Sequence, residues 1–307
     1  MKPPRVVSLL PSATEIVARL GAESWLVGRS EECDSPASVL TLPVVMRART
    51  LDRDQPSGEI DARVRATRQQ NQSLYALDLV ALRTLRPDVI FTQDLCGVCS
   101  VTESEVTSAC RDSGVTPRIV SLSPRSLDSV WDSVVQVGDA LQLSDRGRAL
   151  ADELRRRAAK TGPSSGARVV VVEWLDPPFV AGLWAPDMIA AAGGIPVGTT
   201  STSEGLRSTW AHVRDLRPDL VIVSPCSFPV SRTVTELHES PAGEKLGQMR
   251  PSLGTWLVDE AYFSRPGPRL AEGVELIRAL LGGEEPAHPL MPVRRWEPPP
   301  RGTTGEN

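Results

Sequence analysis

The chain has 307 residues, 40% of them hydrophobic, which is enough for two domains that each bury a core. Its formal net charge is −4, and this near balance argues against a nucleic-acid-binding protein, which usually carries a basic stripe. No segment reaches the ~18 apolar residues of a membrane helix, so we expect no membrane span. The first apolar run, residues 6–10, is followed too soon by Pro11 and Glu15 for a signal peptide, which predicts a cytoplasmic protein.

The first half of the chain alternates predicted strands and helices. Short apolar runs bounded by turn residues predict strands at residues 6–10, 25–28, 42–45, 89–91 and 118–122. Apolar residues at helical spacing predict helices at residues 12–21, 74–85 and 126–141, and a further helix that begins near residue 101. Ser12 and Glu15 have the spacing of a capping box at the start of the first helix.

A long helix is predicted over residues 144–160, with Ser144 as its N-cap. The second half then repeats the alternation, with predicted strands at 169–172, 220–223 and 255–258. Predicted helices end at Ala192 and cover residues 209–216 and 270–281. From Gly282 the chain is rich in Pro, Gly and Glu, which predicts a mostly disordered tail.

These elements predict an α/β fold with two Rossmann-like lobes joined by one long rigid helix. The predicted division has an N-terminal lobe at 1–143, a bridging helix at 144–161, a C-terminal lobe at 162–283 and a tail at 284–307. Parallel strands bind their ligands at their carboxyl ends, so we expect the functional residues in the loops that follow the strands.

Four of the five cysteines follow predicted strands: Cys33, Cys96, Cys99 and Cys226. An odd number of cysteines in a reducing compartment favours metal binding or redox chemistry over structural disulfides. Cys96 and Cys99 have C-x-x-C spacing, and thiolates in this arrangement suit zinc, iron or an iron–sulfur cluster. Cys33 is the third candidate metal ligand and Cys226 an additional one. The alternative is that a free cysteine is a small buried hydrophobe, which we prefer for Cys110.

Polar side chains at other predicted strand ends are candidates for binding a ligand or for catalysis. Glu32, Gln93 and Asp94 are candidate ligand-binding residues. Glu173 follows directly on a run of four valines and, with Cys226, is a candidate catalytic residue.

Aromatic side chains near strand ends are candidates for the wall of a site for a flat ligand, because their faces offer large contact area with few rotamers. These side chains are Trp174, Phe179, Trp184 and Tyr262. The alternative for each of them is a place in the hydrophobic core. Arg265 is a candidate anchor for an anionic group. None of the three histidines follows a predicted strand, so the sequence supports neither a Ser–His triad nor a His-rich zinc site.

Several segments carry a family resemblance. They are the stretch at 5–15, Leu-Arg-Pro-Asp-Val-Ile at 85–90, the long helix, Arg-Pro-Asp-Leu-Val-Ile at 217–222 and the closing stretch at 264–281. Four shorter motifs accompany them: Glu-Cys-Asp at 32–34, Thr-Gln-Asp-Leu-Cys-x-x-Cys at 92–99, Glu-Trp-Leu-Asp-Pro-Pro-Phe at 173–179 and Tyr-Phe-Ser-Arg-Pro-Gly-Pro-Arg at 262–269. The chain resembles the cobalamin-binding branch of the class III ABC-importer substrate-binding proteins, and within it a cysteine-containing subgroup.

The resemblance implies a soluble protein that binds a corrinoid (cobalamin-like) or other metal-containing ligand in the cleft between its lobes. It also implies an ABC permease as partner if the chain is exported. The importer proteins bind cobalamin without such cysteines and are exported or lipid-anchored, whereas this chain has the cysteines and no predicted signal peptide. The alternative is a cytosolic metalloenzyme that reuses the fold, with a Cys-ligated metal or iron–sulfur cluster in the cleft. Whether the chain is an enzyme stays open at this point.

Overall fold

The chain forms two compact units, each with its own β-sheet. The structure is a computed structural model, and it describes residues 2–49, 54–70, 72–94, 101–159, 164–284 and 292–297. The first unit comprises residues 1–55, 59–159 and 265–275, and the second comprises 56–58, 160–264 and 276–307. No helix of the described segments combines the length and the apolar character that crossing a membrane requires.

A mostly parallel sheet forms the centre of the first unit. Its described strands are β1 (Val6–Ser8), β2 (Leu26–Ser30), β3 (Val44–Ala48), β4 (Tyr75–Leu77), β5 (Val89–Thr92) and β6 (Arg118–Ser121). They lie in the order β4-β3-β2-β1-β5-β6, and only the edge pair β3–β4 among these is antiparallel. Because β1 pairs in parallel with both β2 and β5, the loops after these three strands lie at the same edge of the sheet.

Helices alternate with the strands along the chain in the first unit. They are α1 (Pro11–Arg19), α2 (Ser57–Gln69), α3 (Leu79–Leu85), α4 (Glu103–Ser113), α5 (Leu127–Ala140) and α6 (Ser144–Ala158). The first two residues of α2 belong to the second unit. Val7 of β1 and Ile90 of β5 have no exposed surface, which explains why these strands are continuous apolar runs in the sequence.

The predicted capping at Ser12 and Ser144 is wrong. Helix α1 begins one residue earlier, at Pro11, and its N-cap residue Leu10 makes no side-chain capping bond. A proline fits the first turn because the N–H that it lacks has no partner inside the helix there. Ser144 is likewise the first residue of α6, after the N-cap residue Leu143.

The predicted helix over residues 74–85 is correct only in its second half. Tyr75–Leu77 forms the edge strand β4, and Asp78 then caps α3 by accepting the Ala81 N–H at 2.9 Å. The carboxylate satisfies a backbone donor in the first turn and so fixes where the helix begins. Helix α2 is absent from the sequence prediction, because its mostly polar sequence lacks a clear apolar face.

The predicted bridging helix corresponds to α6. It is continuous over Ser144–Ala158, and all of it belongs to the first unit, where it packs against α5. A close backbone approach permits this packing, since a Cβ on Gly147 would lie 3.1 Å from the Cα of Gly138. Residues 160–163 lie outside the described residues, so the rigid bridge stays a prediction.

The second unit has a mixed sheet. Its described strands are β7 (Arg168–Leu175), β8 (Pro178–Val180), β9 (Ile195–Pro196), β10 (Leu206–Arg207), β11 (Leu220–Val223), β12 (Thr255–Val258) and β13 (Val293–Arg295). The order is β10-β8-β7-β11-β12-β13, with β9 paired to β7. The centre, β7-β11-β12, is parallel, and both edges are antiparallel. The predicted strands at 169–172, 220–223 and 255–258 are confirmed.

Five α-helices remain among the described residues of the second half of the chain. They are α7 (Ala185–Ala192), α8 (Trp210–Asp215), α9 (Val230–Glu239), α10 (Pro241–Gln248) and α11 (Leu270–Leu281). Residues 270–275 of α11 belong to the first unit and the rest to the second. Helices α9 and α10 are absent from the sequence prediction, whereas α11 has the predicted bounds.

The prediction of a disordered tail is wrong for its middle. Residues 293–295 form β13, antiparallel to β12, and the following Trp296 is only 6% exposed. The edge of β12 offers backbone partners, and burial of the indole ring adds apolar contact, which together outweigh the Pro-rich composition. Residues 285–291 and 298–307 lie outside the described residues.

Candidate functional site

Cys33 lies in the loop after β2 and has no exposed surface. Thr14 Oγ1 donates a hydrogen bond to its Sγ at 3.1 Å, and Ser30 Oγ lies 3.2 Å from the same sulfur. The Cys33 thiol also donates to the Ser8 carbonyl at 3.8 Å. Polar groups from α1, β1 and β2 therefore enclose the thiol.

This environment keeps the thiol protonated. Burial raises the pKa of Cys33, and the hydrogen bonds of Ser30 and Thr14 and the charge of Arg265 only partly offset it. Metals bind the thiolate, so a metal at Cys33 would have to displace this proton. The predicted partners Cys96 and Cys99 lie outside the described residues, and the three-cysteine site stays a prediction. Within the described segments, no three His, Cys, Asp or Glu side chains are grouped to hold a metal ion.

Four charged residues form a network in the first unit, which we name the Arg265 cluster: Glu15, Asp34, Arg265 and Arg269. Arg265 contacts both oxygens of Asp34, at 2.5 and 2.9 Å, and Oε1 of Glu15 at 3.5 Å. Arg269 Nε lies 3.1 Å from the other Glu15 oxygen. The predicted anion anchor Arg265 therefore already binds two carboxylates of its own unit.

The two carboxylates of the Arg265 cluster differ in exposure. The Glu15 side chain is 7% exposed and that of Asp34 is 55% exposed. Burial raises the pKa of Asp34, but the hydrogen bonds and charge of Arg265, with the charge of Arg269, outweigh it and lower the pKa overall. Asp34 is therefore ionised at neutral pH, as a bidentate pair with a guanidinium requires.

The other candidates of the first unit lie where the sequence predicts, in loops after strands. Glu32 follows β2 and is half-buried, while Gln93 and Asp94 follow β5 and are half-buried and exposed. The Asp94 backbone N–H donates to Ser123 Oγ at 3.1 Å, which ties this loop to the one after β6. Their ligand-binding role stays a prediction.

In the second unit, the structure brings the two catalytic candidates together. Glu173 lies near the end of β7, and its carbonyl accepts the Cys226 N–H at 3.1 Å. Both residues are half-buried. The absence of a side chain at Gly205 gives room to Glu173, because a Cβ there would overlap its Oε1. A catalytic role for either residue stays a prediction.

Trp174 is half-buried and belongs to a network that we name the Trp174 cluster: Ser57, Trp174, Phe228, Arg232 and Glu236. The indole Nε1 donates to the Ser57 carbonyl at 3.2 Å, and the indole centroid lies 5.3 Å from that of Phe228. The Arg232 guanidinium carbon lies 4.0 Å from the Phe228 centroid. Glu236 Oε1 accepts both the N–H and the hydroxyl of Ser57, at 2.8 and 2.6 Å.

Sequence reasoning names only Trp174 from this cluster. Arg232 and Glu236 lie four residues apart on α9, so their common helical face could be read from the sequence once that helix is recognised, whereas Phe228 precedes the helix. Their link to Ser57 could not, because the contact joins residues 179 positions apart.

The other aromatic candidates differ in exposure. Phe179 of β8 is half-buried and lies opposite Trp174 across the β7–β8 pair. Trp184 is 7% exposed, with its Nε1 donating to the Phe263 carbonyl at 2.7 Å, and Tyr262 is 4% exposed. Trp184 and Tyr262 thus pack as core residues, whereas Trp174 and Phe179 are only half-buried.

The chain is similar to solved structures but matches no protein-family model and no curated protein sequence. A periplasmic heme-binding protein of Pseudomonas aeruginosa matches in structure with a TM-score of 0.68 and 21% identity, over 96% of this chain and 99% of its own. The periplasmic vitamin B12-binding protein of Vibrio cholerae matches with a TM-score of 0.58 and 18% identity, over 91% and 97%.

A third similar structure is described as an ABC-type Fe3+-hydroxamate transport system of Saccharomonospora viridis. It has a TM-score of 0.64 and 16% identity, over 91% of this chain and 94% of its own. These neighbours are class III periplasmic binding proteins, and the likeness confirms the predicted class, a mixed α/β fold with a sheet in each of two units. The cobalamin-binding branch and its cysteine-containing subgroup stay predictions.

Proposed function

We propose that the chain is a binding protein for a corrinoid or another metal-containing ligand. The observation that carries the proposal is a fold likeness that covers 91% or more of the chain and includes proteins described as binding heme and vitamin B12. A third similar structure is described as an ABC-type Fe3+-hydroxamate transport system. Heme, vitamin B12 and ferric hydroxamates are all metal complexes of organic ligands, and heme and B12 share a flat macrocycle.

The Trp174 cluster supports a flat ligand in particular. The Trp174 ring is half-buried, held at its nitrogen by Ser57 and contacted by Phe228. An aromatic side chain fixed in this way offers apolar surface to a macrocycle without a large loss of rotamer entropy on binding. Phe179, across the strand pair, adds a second half-buried ring.

The partner and the location follow from the same proposal. An exported chain would deliver its ligand to an ABC permease, as the fold likeness to proteins of such transport systems suggests. A cytoplasmic chain would instead store or hand over the ligand inside the cell. Fractionation of cells that express the full-length protein separates these two versions.

A titration of the purified protein tests the proposal. Cobalamin, hemin and a ferric hydroxamate are each added to micromolar protein, and binding is followed by absorbance and calorimetry. We expect saturable binding of one ligand class with a Kd of about 1 μM or lower, which corresponds to about −8 kcal/mol. No saturable change with any of the three ligands would overturn the proposal.

The same purified protein also tests the alternative, a metalloenzyme with a cysteine-ligated metal. Elemental analysis after anaerobic purification measures iron and zinc per chain before any ligand is added. Stoichiometric iron or zinc that is lost on replacement of Cys96 and Cys99 by serine would favour the metalloenzyme alternative.

A further inference from the structure

We propose that Glu236 is a positioning residue that holds the Trp174 ring in its ligand-binding orientation, acting through Ser57. The inference rests on the proposed function, because it takes Trp174 to contact the ligand. The three residues lie far apart in the sequence and are joined by hydrogen bonds within the second unit.

The first link is between Glu236 and Ser57. One carboxylate oxygen accepts both the backbone N–H and the hydroxyl of Ser57, at 2.8 and 2.6 Å. Ser57 has no exposed surface and Glu236 is 9% exposed, so water competes little for these bonds. Hydrogen bonds to a charged acceptor are short and strong, and two of them fix the Ser57 peptide in place.

The second link is between Ser57 and Trp174. The Ser57 carbonyl accepts the indole N–H at 3.2 Å, and this N–H is the single polar group of the Trp side chain. Rotation of the indole about its χ2 bond would break the hydrogen bond and the contact with Phe228. A displaced Ser57 therefore releases the ring, and the anchored Ser57 holds it.

A purely structural role for Glu236 is the alternative. Ser57 is the first residue of α2, and an acceptor at a helix N-terminus stabilises the helix by satisfying a free N–H. Asp176 lies at the same helix end, since a Cβ on Gly58 would be 2.8 Å from its Oδ2. The two roles differ in one respect: only the positioning role changes the surroundings of the Trp174 ring and the affinity for ligand.

Three substitutions separate these roles: Glu236→Ala, Glu236→Gln and, as a matched control, Glu239→Ala. Glu239 lies on the same helix and is exposed. The chain has seven Trp residues, so the emission of Trp174 is obtained as the difference between each protein and its Trp174→Phe version. Affinity for cobalamin and hemin is measured on the same proteins.

We expect Glu236→Ala to shift the Trp174 emission to longer wavelength and to weaken ligand binding about tenfold, which corresponds to about 1.4 kcal/mol. Glu236→Gln should retain most of the affinity, because the amide oxygen accepts the same two hydrogen bonds. Glu239→Ala should change neither quantity. In the Trp174→Phe background, Glu236→Ala should no longer weaken binding.

Unchanged Trp174 emission and affinity in Glu236→Ala would overturn the proposal, as would an equal loss of affinity with and without Trp174. The emission measurement needs no ligand, so it decides the positioning role even if the wild type binds none of the ligands and the proposed function fails. If Glu236→Ala does not fold, Glu236→Met removes the acceptor of both bonds with a side chain of similar size, and an unchanged Trp174 emission would again contradict the proposal.

Discussion

The Arg265 cluster of the first unit and the Trp174 cluster of the second contain the residue types that sequence analysis selects for ligand binding, but they use them differently. In the Arg265 cluster, the guanidinium is bound by carboxylates of its own unit. In the Trp174 cluster, the polar groups bind one another and the indole nitrogen, while Trp174 itself is only half-buried. The difference shows that Arg265 is already neutralised within its own unit, whereas Trp174 is only half-buried; burial removes aromatic candidates as well, as it does for Trp184 and Tyr262.

Exposure therefore separates supporting residues from candidate contact residues better than residue type does. Glu15 is nearly buried and holds two arginines, as Glu236 is nearly buried and holds Ser57. We interpret both acids as supports. Trp174 and Phe179 are only half-buried, and we interpret them as the candidate contact residues.

The largest expected effect contrasts two tryptophans of the second unit. Trp184→Ala should lower the free energy of unfolding by about 3–5 kcal/mol, because it removes a ring that is 7% exposed together with its bond to the Phe263 carbonyl. Trp174→Ala should cost clearly less, about 1–2 kcal/mol, because its ring is only half-buried. Chemical denaturation measures both, and equal losses would show that Trp174 is a core residue.

A smaller effect is expected from Glu15→Gln in the first unit. The substitution keeps the size of the side chain but leaves Arg265 and Arg269 without the buried carboxylate, which should cost about 2–3 kcal/mol. The matched Asp34→Asn change removes an exposed carboxylate and should cost less than about 1 kcal/mol. This cost should become smaller still at high salt, because salt screens the exposed ion pair. Thermal unfolding at two salt concentrations tests this. A larger loss for Asp34→Asn than for Glu15→Gln would reverse the roles assigned to the two acids.

A third expected effect, which is absent at neutral pH, concerns the pH dependence of the buried thiol. Since burial raises the pKa of Cys33, folding favours its protonated form, and the contribution of this thiol to stability should be constant below the ordinary thiol pKa of about 8.5. Above that pH the unfolded chain ionises first, so stability should fall by about 1.4 kcal/mol per pH unit until the folded thiol also ionises.

Cys33→Ser supplies the control for this prediction, because a hydroxyl does not ionise in that range and the extra loss should disappear. Alkylation gives a second measurement. The half-buried Cys226 should react with iodoacetamide at neutral pH well before Cys33, which is wholly buried. Rapid modification of Cys33 in the folded protein would show that its thiol is accessible.

Local sequence pattern predicts those parts of the fold that depend on burial alone. The apolar runs at residues 169–172 and 220–223 are the parallel strands β7 and β11, and the last helix has the predicted bounds. Strand β13 is not predictable in this way, because it depends on the free edge of β12 rather than on its own composition. Likewise, α2 has a polar sequence whose first residue is anchored by Glu236, far away in the chain.

The candidate site is predictable only in part for the same reason. Residue type and position after a strand suffice to select Trp174, Cys33 and Arg265. Their partners lie far away in sequence, such as Asp34 for Arg265 at a separation of 231 residues, and no local pattern encodes them. The partners nevertheless decide whether a candidate side chain is already bound within the protein or still available to a ligand.

The central proposal is that the ligand is recognised by the half-buried ring of Trp174 and not by the buried thiol of Cys33. Parallel titrations of wild type, Trp174→Ala and Cys33→Ser with cobalamin and hemin test it most directly. We predict that Trp174→Ala raises the Kd at least about tenfold, or about 1.4 kcal/mol, while Cys33→Ser leaves it within about twofold. Unchanged affinity in Trp174→Ala together with loss of binding in Cys33→Ser would contradict the account.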